Sequence, residues 1–239
     1  MLKYLLAILA WIGIWHFASL WVDNHILLVS PIDVFLRIGE LGQEASFWAS
    51  IAFSLYRIIF GFFLALVIGV ALASLTFAFH GFYIFMLPFF NVIKSIPVVS
   101  FALLALMWFS ASNLSIFIAF VTVLPIVYFN TYEGIKNADA KLLEMAKVFR
   151  VAKPKIWLNI YGRSAFPYIL SAAASGIGFA FKSGVAAELI GFVQNSIGFN
   201  LHSARAFLQT ADIFAWTIVI IILSYAIEKI FLMMVKLWR

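Results

Sequence analysis

The sequence contains no cysteine. Disulfides, thiolate chemistry and cysteine-ligated metals are therefore excluded. Charge is also scarce: 11% of the 239 residues are charged, against about 25% in an ordinary soluble domain. Acids are the rarer sign, with 10 Asp and Glu against 16 Lys and Arg. The four histidines, at 16, 25, 80 and 202, are scattered, with no two at metal-ligand spacing. GxxxxGK(S/T), HExxH and GxSxG are all absent. The residues thus offer no P-loop, no catalytic constellation and no metal site.

What fills the chain is apolar. It is 65% hydrophobic and 18% aromatic, with a mean hydropathy of +1.08. Such a chain takes lipid as its main solvent, and only helices or closed barrels satisfy their backbone there. Long apolar runs point to an all-α polytopic membrane protein. The pI of about 9.6 does not indicate nucleic-acid binding, because the cations cluster at the ends of apolar runs. Lys3 precedes an apolar run that continues through Trp11, Trp15 and Trp21 without a small-x-small cleavage site. A retained first span is expected there, not a signal peptide.

A membrane-crossing helix needs about 20 apolar residues. Six candidates follow: Tyr4–Val22, then 52–79, 83–109, 114–130, 165–190 and 214–235. The whole of 1–239 reads as one transmembrane domain, with 4–22 peripheral and 52–235 as the core. The longest polar interruption is 132–163, YEGIKNADAKLLEMAKVFRVAKPKIWLNIYGR. Lys136, Lys141, Lys147, Arg150, Lys153, Lys155 and Arg163 there face Glu133, Asp139 and Glu144. Cation-rich loops stay cytoplasmic. Six spans then place both termini on the same side, consistent with Lys3, Lys229, Lys236 and Arg239. The segments 23–50 and 191–213 become external.

Several polar or helix-breaking residues lie at membrane depth. LPFFNVIKSIPVVSF in span three carries Pro88, Lys94 and Pro97, and its prolines suit either a kink or a hinge lining a path. FAFKSGVAAELIGF in span five carries Lys182 and Glu188. An ionisable group at the bilayer centre costs roughly 2.5–3.5 kcal/mol on insertion scales. The two lie about 240° apart around a helix, so they are not an intrahelical pair. Glu188 reads either as an interfacial residue reaching outward or, with Lys94, Pro97 and Lys182, as the border of a solute path. Ala172/Gly176 and Ala174/Gly178 fit small-xxx-small helix packing.

The basic loop divides into two short helices. Asp139 is placed to cap the first, through Phe149, with Leu142, Leu143, Ala146 and Phe149 as its apolar stripe. Pro154 fits the first position of the second, PKIWLNIYGRS. An amphipathic hairpin of this kind suits a groove on another protein or the bilayer surface.

The stretch LLEMAKVFRVAKPKIWLNIYGRSAFPYIL resembles the cytoplasmic loop of ABC importer permeases, with Glu144-Met145-Ala146 as its Glu-Ala-Ala core and Pro167 as its later proline. SIPVVSFALLALMWFS (95–110), NTYEGIKNADAKLLEMAK (130–147) and GVAAELIG (184–191) resemble the nitrate/sulfonate/taurine branch. The likeness runs in order over roughly 50–235. It implies a type I importer permease fold, with about six spans and a cytoplasmic coupling loop, in a bacterial inner membrane. It implies a homodimer or heterodimer with a second permease, two ATPase subunits holding ATP and magnesium, and an extracytoplasmic solute-binding protein. The solute would be a small anion or a vitamin-like compound. Coupling would rest on Leu143, Glu144, Met145, Ala146, Phe149, Arg150 and Pro154, with Glu144 pairing to a nearby cation and Leu143, Ala146 and Phe149 supplying contact area. Met145 and Arg150 depart from the family pattern. Arg150 stands where a turn glycine belongs and is expected to adopt an ordinary backbone conformation. The alternatives are an ion-gradient-driven secondary transporter, against which no inverted repeat is evident, and a purely structural membrane subunit.

Overall fold

A computed structural model describes residues 2–237, with side chains described for 6–234. Arg239 and the side chains of Lys3 and Lys236, which bear on the orientation of the termini, lie outside the described residues. The described chain is helical: α1 Leu2–Val22, α2 Pro31–Leu41, α3 Ala45–Ala78, α4 His80–Ser95, α5 Val98–Ala105, α6 Ala111–Lys136, α7 Ala140–Val148, α8 Lys153–Ile156, a π-helical turn Trp157–Tyr161, α9 Gly162–Gly191, α10 Ile197–Ala206 and α11 Thr210–Leu237.

Helix α6 is the centre, packed between α3 and α9. Small residues make both contacts close. A Cβ on Gly61 of α3 would overlap the Ile116 carbonyl of α6, and one on Gly176 of α9 would stand 3.1 Å from Val123 Cγ1. Ala172, Ala173 and Gly176 are buried within this one chain. The small-residue stripe therefore serves internal packing. Aromatic contacts join α4 to the core: Phe90 stacks on Tyr128 at 3.9 Å, and the Tyr128 hydroxyl donates to Thr76 of α3 at 3.1 Å.

The expected six spans are not all matched. Among the described residues four segments are long and apolar enough to cross a membrane: Ala45–Ala78, Ala111–Lys136, Lys153–Gly191 and Thr210–Met234. The described part of α1, Leu6–Val22, is shorter. It leans on the rest through Trp15, whose Nε1 donates to the Val29 carbonyl at 3.1 Å and whose ring stacks on Phe214. The third expected span is not one rod. α4 and α5 meet at 103° and make a fifth crossing only as a bent pair. Pro97 is the cause. A residue before proline is driven from the helical region, and Ile96 is extended at φ −78°, ψ 127°. Pro88 lies within α4 without ending it.

The segments read as external loops hold two further helices. In α2, Ser30 caps the Asp33 N–H and Pro31 opens the first turn. Arg37 of α2 reaches Asp212 at the start of α11, with Nη2–Oδ2 at 3.1 Å, and also bonds Glu40. Its hydrogen bond to Asp212, then that to Glu40, raises the Arg37 pKa above its ordinary value. This ion pair ties 23–50 to 191–213 across the sequence.

Candidate functional site

The basic hairpin forms as a capped helix and a rod. Asp139 accepts the Lys141 N–H at 2.8 Å, opening α7. At the other end, Val151 N–H bonds the Ala146 carbonyl at 2.9 Å and Arg150 N–H bonds Lys147 at 3.1 Å. These two bonds are the Schellman pattern, which calls for a left-handed residue between them. Arg150 supplies it, at φ 50°. The expectation of an ordinary backbone at Arg150 is thus overturned: the turn keeps the geometry glycine normally provides. A side chain there costs about 1 kcal/mol. Arg150→Gly should accordingly stabilise the hairpin by about that amount, which hydrogen exchange at the Val151 amide would register. Unchanged protection there would mean that Arg150 is unstrained.

The second arm is not a separate helix. Lys153–Gly191 runs as one element of 39 residues, passing through the π-helical turn at Trp157–Tyr161. At 1.5 Å per residue it is about 58 Å long, against a hydrocarbon core of about 30 Å. Span five therefore protrudes as a rod on the side of the hairpin. Pro154 sits exposed in its first turn.

Exposure on α7 differs from the expected stripe. Leu142, Met145, Val148 and Phe149 are exposed, Phe149 at 74%. Leu143 is half-buried, and Ala146 is buried and faces inward, so it supplies no contact area. Glu144 is exposed, and among the described residues the ion pairs are those of Arg37 alone. The expected Glu144 pairing does not form among the described residues.

At membrane depth the two ionisable residues of α9 part company, as their angular separation requires. Lys182 is exposed and Glu188 is wholly buried. Glu188 neither reaches outward nor lines a path. Its Oε2 accepts from the Ser54 hydroxyl at 2.8 Å and from the Gly198 N–H at 3.4 Å. Ser54 Oγ in turn accepts the Ile197 N–H at 3.0 Å. Glu188 and Ser54 together satisfy the orphan donors at the start of α10. Gly198 permits this, because a Cβ there would collide with Glu188. Ser50 extends the cluster by accepting from Asn200 Nδ2 at 3.0 Å. Sequence reasoning missed Ser50 and Ser54, yet a signal exists: Ser50, Ser54 and Arg57 recur at i, i+4 and i+7 on an apolar helix.

Lys94 and Lys182 keep open surroundings. Lys94 Nζ lies 4.2 Å from the centre of the Phe129 ring and borders a cavity of about 420 Å³ between α4, α5, α6 and α9. Pro97 is exposed at the bend that shapes one wall. Ser171, Ser175, Phe179 and Lys182 form one exposed stripe along α9, spaced three and four residues apart. Phe179 of this stripe also lines the Lys94 cavity.

Residues 65–236 match the family described as "Binding-protein-dependent transport system inner membrane component". The chain is 28% identical over 211 residues to the aliphatic sulfonates transport permease protein SsuC of Bacillus subtilis, covering 87% of this chain and 76% of that one. It is 30% identical over 188 residues to the nitrate import permease protein NrtB of Synechocystis, covering 74% and 68%. The crystal structure of an amino acid ABC transporter with histidines shares the fold, with a TM-score of 0.65, 15% identity and coverage of 85% and 95%. That likeness extends over most of the fold, and the gradient-driven and purely structural alternatives give way: the chain belongs to the inner-membrane permease component of binding-protein-dependent ABC importers.

Proposed function

We propose that this permease subunit carries a small anion across the membrane, and that a separate ATPase drives it through the 132–163 hairpin. The observation that carries the reading is mechanical. The α7 hairpin presents an unpartnered apolar stripe of Leu142, Met145, Val148 and Phe149. It is joined at once to a rod of 39 residues, whose far half bears the exposed Ser171–Lys182 stripe. A push on the hairpin moves the stripe as a rigid body. A polar face on a membrane helix belongs against water or another subunit. A second permease, identical or related, therefore meets this chain along α9, with the solute path between them. Lys94, Pro97 and Lys182 border that path. A solute-binding protein delivers from the outer side, both termini are cytoplasmic, and ATP and magnesium reside in the ATPase pair. The relatives named for sulfonates and nitrate support an anionic solute, as do the two lysines.

Replacing 140–152 with a short flexible linker tests the coupling. The permease should still insert, and the ATPase of the same transport system should no longer co-purify with it. Persistent co-purification would remove the hairpin from the coupling role.

A further inference from the structure

Lys94 lies in the last turn of α4, about 21 Å along the helix from His80 at 1.5 Å per residue. Its neighbour Phe129 stands about 10 Å along α6 from Lys136 at that helix's end, so the group lies within the span of α6. The C-terminal end of a helix favours a cation, and the Phe129 ring at 4.2 Å adds attraction. Among the described residues no carboxylate pairs with it. The charge therefore faces the 420 Å³ cavity without a counter-ion, and that volume is in the range of small-molecule sites.

The lining states what could fill it. Ile93, Ile96, Val98, Phe101 and Ile118 are apolar. The Thr122 hydroxyl is engaged with Ile118 and Ser183, and Asn130 Nδ2 donates to the Ile126 carbonyl. Lys94 brings the charged donors, and the second Asn130 N–H adds one neutral donor. One cation in apolar walls can compensate one negative charge, and a second would stay desolvated and unpaired. We propose that this cavity binds a singly charged organic oxyanion with an alkyl body, its head on Lys94 and its chain against Ile93, Val98 and Phe101. This rests on the importer reading and deepens it: the permease itself, and not the binding protein alone, selects the solute. A phospholipid has the same head-and-tail chemistry, but its two long acyl chains exceed a cavity of about 420 Å³, so the site is assigned to the soluble anion.

The test uses the full chain in phosphatidylcholine nanodiscs, titrated calorimetrically with pentanesulfonate, pentanol and sulfate. Pentanesulfonate should bind, with pentanol and sulfate at least tenfold weaker. Lys94→Gln should weaken pentanesulfonate at least tenfold, and Lys94→Arg should restore most of it. Val98→Phe, which fills the apolar end, should weaken it too while leaving the cation in place. Adding phosphatidylglycerol should leave binding unchanged. Absent pentanesulfonate binding, equal binding of sulfate, wild-type binding by Lys94→Gln or Val98→Phe, or displacement by phosphatidylglycerol would each overturn the site. ATPase co-purification is read on the same samples and does not involve Lys94. A permease that retains its ATPase and binds no sulfonate loses this site and keeps its place in an importer.

Discussion

Alanine at Glu188 is expected to destabilise the folded permease by about 3 kcal/mol, a large share of the 5–15 kcal/mol that holds a typical domain together. The carboxylate collects the Ser54 hydroxyl and the Gly198 N–H on one oxygen. Removing it leaves both donors buried, at about 1–3 kcal/mol apiece, and opens a void where Glu188 was wholly enclosed. Relief of the carboxylate's own desolvation offsets part of this. Glutamine retains an acceptor oxygen, so Glu188→Gln should lose only about 1 kcal/mol. The difference between the two variants separates hydrogen bonding from charge. Thermal unfolding of the purified chains in one detergent gives the ranking, and limited proteolysis between α9 and α10 shows whether α10 has come loose. An alanine variant that melts with wild type would falsify the capping role.

How much of this was visible beforehand depended on the range of the interaction. Hydrophobic run length placed α3, α6, α9 and α11, because lipid solvation is additive along a helix. Local chemistry placed Asp139 as a cap, since the carboxylate and the Lys141 N–H lie two residues apart. The 103° bend was half legible. Two prolines were evident, but only packing decides that Pro88 is tolerated while Pro97 breaks the helix. Glu188 was misread because its partners, Ser54 and Gly198, come from other helices, and one sequence does not show which apolar faces meet. The same limit hid Arg37–Asp212, whose members are far apart in the chain. On α7 the period was right and the phase was wrong. Leu142, Leu143, Ala146 and Phe149 fit a helical stripe, but Ala146 turns inward while Met145 and Val148 turn out. Two overlapping stripes on a nine-residue helix cannot be ranked by spacing alone.

That phase determines the second large effect. Met145→Asp combined with Phe149→Asp should cut ATP-driven uptake at least a hundredfold and leave the permease folded. Both side chains are exposed, at 50% and 74%, so the changes remove little internal packing. Phe149 is the cap position and Met145 an interior one, where aspartate lowers helix propensity by only about 0.7 kcal/mol. Docking suffers far more. Burying a Met or Phe side chain against a partner is worth about 1.5–3 kcal/mol, so two losses, with an aspartate stranded in each place, exceed the 2.8 kcal/mol that corresponds to about a hundredfold in affinity. Ala146→Asp is the contrasting control. It buries a charge under the hairpin and should unfold α7 itself, visible as lost amide protection, whereas the Met145/Phe149 pair should leave that protection intact. The alternative occupant of the stripe is the bilayer surface, and it makes the opposite forecast: the double aspartate would then weaken lipid contact and spare the ATPase. Full uptake in the double variant, with α7 still protected, would leave the exposed stripe without a motor to receive it.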